Sequence, residues 1–223
     1  MHRQISKRIV IYLFIFILLT TLINNNLSKS KLLLINSFEI IGLNDLEKNQ
    51  ISQNLNVLRN KNLFLLNKKE IIEKFTSYKS IEKFFIFKIY PSKLKIEIEK
   101  TNYLAITKKN DSYFYVGSNG NLIETNKKKE NLPFVYGNIN VEEFLKLKKI
   151  IDNSNFDFYE IKNLYYFKSK RWDLETIDGI IIKLPFENQK KSIEIILKLL
   201  IDNDFKDIKI IDLRQNNQVI LNG

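Results

Sequence analysis

The run from Ile81 to Lys100, IEKFFIFKIYPSKLKIEIEK, constrains the fold more than any other stretch. Its second half alternates strictly, with Leu94, Ile96 and Ile98 on one side and Lys93, Lys95, Glu97 and Glu99 on the other. A side-chain period of two describes a strand with one buried face and one wet face. The first half, Phe84 to Ile89, is aromatic and β-branched, the composition of a strand packed on both faces. Pro91 fixes its own φ and drives Tyr90 out of the helical region, so Tyr90-Pro91-Ser92 is a turn. A strand–turn–strand unit with so large an apolar face needs a cover, and the residues before it are patterned to supply one.

Ser28–Ile35 reads as a connector and Ser37–Gly42 as a strand closed by a glycine. Asn44-Asp-Leu-Glu47 has the spacing of a capping box, and Ile51, Leu55 and Leu58 follow on one helical face. Asn67-Lys-Lys-Glu70 repeats the start signal, with Ile71, Ile72, Phe75 and Tyr78 as the stripe of a second helix. The order strand, helix, helix, strand, strand predicts a three-stranded sheet with two helices on one face. At the other end of this region, Ile9 to Ile23 is uncharged and almost wholly apolar, preceded by Arg3, Lys7 and Arg8. Fifteen helical residues cover about 22 Å of a roughly 30 Å hydrocarbon core, and snorkelling Lys7 and Arg8, with Leu27 beyond, extend the reach. No A-x-A-like cleavage pattern follows, so residues 9–27 are expected to be an uncleaved signal anchor. The basic flank places residues 1–8 in the cytoplasm and everything after the span outside.

Composition excludes more than it assigns. With 223 residues, 44% of them hydrophobic and 27% charged, the chain can bury a core. The net charge of +11 comes from lysines spread throughout. The densest run, Lys127-Lys128-Lys129, reads as a solvated loop rather than a phosphate site. There is no cysteine, and the single histidine is His2, which excludes disulfides, thiolate metal sites, histidine triads and multi-histidine centres. Six isolated glycines make no phosphate-binding loop. No cofactor and no enzymatic activity are expected.

Past Lys100, Tyr103–Ile106, Tyr113–Val116 and Leu122-Ile123 read as strands, with a turn at Asn119-Gly120. Asn140 caps a helix carrying Phe144, Leu147, Ile150 and Ile151. Strands follow at about 161–167, 172–176 and 180–184, then a helix over 188–201 with Ile193, Ile196, Leu197 and Leu200 at helical spacing. Strands at 208–213 and 218–221 complete the pattern. The class is α+β: a membrane helix, a β-α-α-β-β unit, and a mainly antiparallel β domain with two or more helices.

Phe38-Glu-Ile-Ile-Gly42, Asn62-Leu-Phe-Leu-Leu66 and Tyr90-Pro-Ser-Lys-Leu94, running on through Ile96-Glu-Ile-Glu-Lys100, resemble a POTRA domain of the FtsQ/DivIB cell-division family. Leu132-Pro-Phe-Val-Tyr-Gly137 resembles that family's Leu-Pro-x-x-x-Gly segment. Lys100 stands where the family often has arginine, and Gly117 where an acidic residue is common. The resemblance implies a cytoplasmic tail (1–8), a signal anchor (9–27), a POTRA domain (36–101) and an FtsQ-type β domain (102–223). It implies a single-pass inner-membrane protein with periplasmic domains, enriched at the division septum. The implied partners are FtsB and FtsL, with FtsK and FtsW/FtsI as further candidates, and neither nucleic acid nor a small-molecule substrate.

The final strand has no later element to cover it, so an open edge is expected there, unless another strand of the domain already pairs with it. By resemblance the partner's strand adds at this edge. The site would comprise Arg214, Gln215, Asn217, Gln218, Val219 and Ile220, with Lys170, Arg171 and Trp172 as a second contact. Gln215 occupies a position where some members carry an aromatic residue. The alternative is a POTRA-bearing chaperone or secretion component that binds extended polypeptides. A membrane-anchored nucleic-acid binder would need the basic domain on the cytoplasmic side, which the orientation opposes.

Overall fold

The structure is a computed structural model that describes residues 7–27, 33–126, 131–201, 208–215 and 218–223, with side chains of the first segment described only to residue 20. His2, the Lys127–Lys129 run and Asn217 lie outside these residues. The chain divides into two units, Met1–Lys100 and Thr101–Gly223.

The first unit begins with helix α1, Lys7–Leu27, which carries the Ile9–Ile23 run. Among the described residues no helix is long and apolar enough to cross a membrane. Strand β1 (Ser37–Ile41) follows, then α2 (Asp45–Leu55) and α3 (Lys68–Phe75). Strands β2 (Ile81–Ile89) and β3 (Lys93–Lys100) complete the unit. The Asn44 capping box is formed in full: the Asn44 side chain accepts from the Glu47 amide at 2.9 Å, and the Glu47 carboxylate takes the Asn44 N–H. Asn67 caps α3 more simply, its side chain accepting from the Lys69 amide at 3.0 Å.

The sheet order is β1-β3-β2, with β1 parallel and β2 antiparallel to the central strand. Leu94, Ile96 and Ile98 are buried with Ile51, Leu55, Leu58, Ile71 and Phe75 from the helical segment. The strict alternation of β3 is therefore the inner wall of this core. Gly42, at φ +95°, ends β1 where a Cβ would collide with the Ile98 carbonyl, which is why only glycine fits.

Three local expectations are corrected. The Ser28–Ile35 connector reaches into the core: Ile35 is fully buried, and its N–H donates to the Lys61 carbonyl at 3.0 Å. Ile72 is on the outer side of α3, because a helical stripe needs spacings of three and four, and Ile71 and Phe75 already satisfy them. Strand β2 is not packed on both faces. Phe85 and Phe87 are 47% and 45% exposed, because both helices lie on the other face of the sheet.

The second unit holds one nine-stranded sheet among the described residues, in the order β12-β11-β10-β9-β8-β7-β4-β5-β6. Its strands are β4 (Tyr103–Lys109), β5 (Ser112–Gly117), β6 (Leu122–Thr125), β7 (Phe134–Tyr136) and β8 (Ile161–Tyr166). The remainder are β9 (Trp172–Thr176), β10 (Ile181–Lys183), β11 (Ile210–Asp212) and β12 (Ile220–Asn222). Helix α4 (Val141–Asp152) links β7 to β8, and α5 (Gln189–Ile201) links β10 to β11.

Both helix-linked pairs are parallel, as is β4 with β7, while the other five pairings are antiparallel. Parallel neighbours need a crossover of about a dozen residues, which α4 and α5 provide. The Leu-Pro-Phe-Val-Tyr-Gly segment, read only as a motif, is the strand β7 that makes two of those parallel pairings. Phe144, Leu147 and Ile151 of α4 and Ile193 and Ile196 of α5 pack on Val135, Leu164, Leu174, Ile182 and Ile211. Leu200, placed on the apolar stripe by its spacing, is exposed.

Ile96→Ala should remove about 2–5 kcal/mol from the first unit by opening a cavity, while Ile72→Ala should stay within about 0.5 kcal/mol. Chemical denaturation followed by circular dichroism checks the contrast. Equal losses at the two positions would contradict the packing described.

Candidate partner-binding edge

Strand β12 occupies one margin of the nine-stranded sheet and is hydrogen-bonded to β11 alone among the described strands. Its residues Ile220, Leu221 and Asn222 lie opposite Asp212, Ile211 and Ile210. The Lys209 N–H donates to the Asn222 carbonyl at 2.9 Å, so that carbonyl faces β11. Alternation along a strand then turns the N–H and C=O of Leu221 toward the open edge. The Leu221 side chain packs against the core, while Ile220 is exposed.

The strand is shorter than its sequence suggests. Gln218 and Val219 belong to the connection from β11, where the Gln218 N–H reaches the Gln215 carbonyl at 3.4 Å. Of the described residues in the run Gln215–Ile220, only Ile220 is in the ladder. Gln215, Gln218 and Val219 instead line a groove of about 320 Å3 against Lys191, Ser192 and Ile195 of α5. Asn217 is outside the described residues.

Arg214 lies two residues past the end of β11 and is held by Asp212, the last residue of that strand. Its Nε donates to both oxygens of Asp212, at 2.8 and 3.0 Å, its Nη2 donates to Oδ2, and its backbone N–H bonds Oδ1 at 3.0 Å. These bonds hold the Asp212 carboxyl below the usual carboxylate range, and the same pairing raises the Arg214 guanidinium. Asp212 is buried and Arg214 exposed, so a fixed guanidinium is presented beside the edge.

Strand register carries this charge inward. Asp212 is paired with Lys183 on β10, and Lys183 with Asp173 on β9, so the three share one face. Asp173 is buried, and desolvation pushes its carboxyl up against the opposing influence of Arg171 and Arg214. The Arg171 Nε lies 3.8 Å from Asp173 Oδ1, too far for a hydrogen bond, and neither atom has a partner among the described residues. Next along the row, Tyr165 donates to Glu175 at 2.7 Å, a bond that takes its hydroxyl up to about 12.

The structure thus brings Arg171 and Arg214 together around Asp173, Lys183 and Asp212, none of which the sequence singled out. Alternation within β9 and β11 could have flagged Asp173 and Asp212 as carboxylates on strand faces, but their mutual register is not written locally. Lys170 is exposed in the β8–β9 turn at φ +60°. Trp172 is corrected: at 1% exposure it is core, packed on Phe144 and Tyr166, and offers no contact surface. Among the described residues no group of carboxylates or histidines is placed to hold a metal.

A small β-α-α-β-β module of POTRA type, followed by a mixed sheet whose marginal strand β12 pairs with β11 alone among the described strands, defines the architecture. The POTRA domain model of FtsQ type matches residues 33–100, and the model of the C-terminal region of cell division protein FtsQ/DivIB matches residues 105–214. The chain belongs to the FtsQ/DivIB family of cell division proteins. Two relatives named cell division protein DivIB, from Clostridium botulinum strains Hall and Loch Maree, are 29% and 30% identical over 134 residues. Each match covers 60% of this chain and 51% of the relative, so the match spans about half the length of the curated relatives. The solved major extracytoplasmic domain of DivIB from Geobacillus stearothermophilus is 12% identical, with a match that covers 42% of this chain and 87% of that one at a TM-score of 0.32.

The two carboxylates should behave oppositely with pH. Asp212, depressed in the folded state, stabilises above the unfolded carboxylate pKa of about 3.9, and that contribution is lost as pH falls through its folded value. Asp173, raised in the folded state, favours folding below about pH 4 and loses that contribution as pH rises through its folded value. At pH 7, Asp212→Asn should therefore lower the melting temperature and Asp173→Asn should raise it. Melting curves from pH 3 to 8 test both signs.

Proposed function

We propose that this protein is a membrane-anchored cell-division scaffold whose second unit recruits other divisome proteins by strand addition at β12. The observation that carries the reading is a sheet margin with Leu221's backbone groups turned outward and the Asp212-fixed guanidinium of Arg214 beside it. An incoming strand would find free hydrogen-bonding groups there and a preorganised cation for an acidic side chain. Family membership favours FtsB and FtsL as the occupants, with FtsK and FtsW/FtsI as further contacts. Domains over 36–101 and 102–223 would link early to late components of the division machinery, and no catalytic step is assigned.

The anchor would be residues 9–27. Supporting it, every side chain from Ile9 to Leu19 is exposed, an apolar cylinder with no cover among the described residues. A helix hydrophobic on all sides is stable when buried, and lipid is a cover that its basic flank fits. The N-terminus would face the cytoplasm, and both units the periplasm, at the septum.

Backbone N-methylation at Leu221, introduced by ligation, should abolish FtsB–FtsL binding with an unchanged melting temperature. The same change at Asn222 should cost stability, because that residue faces β11. Arg214→Ala should weaken binding by about 2 kcal/mol or more if the contact is desolvated. Calorimetric affinity and melting temperature are measured together. Unchanged binding in both the Leu221 and Arg214 variants would rule out this edge, and an active periplasmic reporter fused to the N-terminus would rule out the orientation.

A further inference from the structure

The first unit has an apolar tip at the end where the chain enters it. The Asn62 side chain accepts from the Phe64 and Leu65 amides, at 2.9 and 3.3 Å, and holds a turn that buries Leu63 and Leu66. The same turn leaves Phe64 and Leu65 64% and 63% exposed. Large apolar side chains so displayed at a turn cost solubility and contribute nothing to the core. Beside them, the β2–β3 turn exposes Ile89 and Tyr90. The Lys88 ammonium ties the two features, donating to the Phe64 and Leu66 carbonyls at 3.2 and 2.8 Å.

Both features sit where the chain arrives from α1. The Leu63 N–H donates to the Leu33 carbonyl at 2.7 Å, Leu34 bridges Asn62, and the Asn36 N–H donates to the Ser92 carbonyl at 2.9 Å. Six peptide units separate Leu33 from Leu27, the end of α1, a reach of at most about 20 Å. The headgroup layer beyond the hydrocarbon is itself about 5–8 Å deep. Around the tip, Lys61, Lys68, Lys69, Lys88 and Lys93 outnumber the carboxylates Glu70 and Glu39, which pair with Lys61 and Lys93 at 2.5 and 3.1 Å. Phenylalanine, leucine and tyrosine ringed by lysine is the composition that partitions into an anionic bilayer interface.

We infer that the Phe64–Leu65 and Ile89–Tyr90 turns form a lipid-docking tip that seats the first unit on the headgroup layer of an anionic bilayer. The inference rests on the membrane-anchored reading of α1. Docking fixes the height and tilt of the unit above the membrane, which a tether alone leaves free. The opposite end of β1 differs: Leu46, exposed at the start of α2, has Asp45 and Glu47 as its neighbours.

The absence of native cysteine allows single-cysteine probes in the full chain. Nitroxides at Phe64→Cys, Tyr90→Cys, Leu46→Cys and Leu18→Cys would be examined in vesicles of phosphatidylcholine with about one-fifth phosphatidylglycerol, a bilayer of the anionic class this tip fits. Accessibility to a water-soluble nickel complex should be several-fold lower at positions 64 and 90 than at 46, with position 18 in the hydrocarbon and melting temperatures unchanged. Positions 64 and 90 as accessible as 46, with 18 in lipid, would overturn the docking tip and leave the anchor standing. Position 18 accessible to nickel would overturn the anchor and the tip with it. Shielding that grows with the protein-to-lipid ratio would assign the tip to a second copy of the chain and overturn the lipid assignment.

Discussion

The exclusion of water from one face of β3 is the constraint on which the first unit depends. Leu94 and Ile96 are fully buried and Ile98 nearly so, each against a helix whose start is fixed by an asparagine cap. Burying such side chains is worth about 1.5–3 kcal/mol each, and a unit this small has few others to draw on. The same alternation leaves Lys93, Lys95, Glu97 and Glu99 on the helix-free face, where Lys95 pairs with Glu97 at 2.6 Å and lies over the Phe87 ring. One strand thus separates a dry interior from a face where exposed aromatic rings and ion pairs alternate.

In the second unit the corresponding constraint is the pair of helical crossovers. Because α5 carries the chain from β10 to β11 in parallel, β11 is set outside β10 and β12 falls at the margin. The Asp212–Lys183–Asp173 row follows from that order. Each carboxylate faces a different balance of desolvation and pairing, with Asp212 satisfied by Arg214 and Asp173 left with an unbonded oxygen. At this margin β12 pairs with β11 alone among the described strands, with the fixed cation of Arg214 and a groove against α5 beside it.

What the sequence determined by itself was local. Aromatic and β-branched composition placed β2, side-chain periods of two and 3.6 placed β3, α2, α4 and α5, and cap chemistry at Asn44, Asn67 and Asn140 set three helix starts, because these signals act between residues a few positions apart. The tertiary structure decided what depends on distant neighbours. It drew Ile35 into the core through Lys61, made Phe134–Tyr136 a strand by supplying partners on both sides, and buried Trp172 under Phe144. It exposed Phe85 and Phe87, whose composition alone reads as core, because both helices cover the opposite face. It also set Asp173, Lys183 and Asp212 in one row, since strand register is fixed by pairing across the sheet, where sequence separation carries no information.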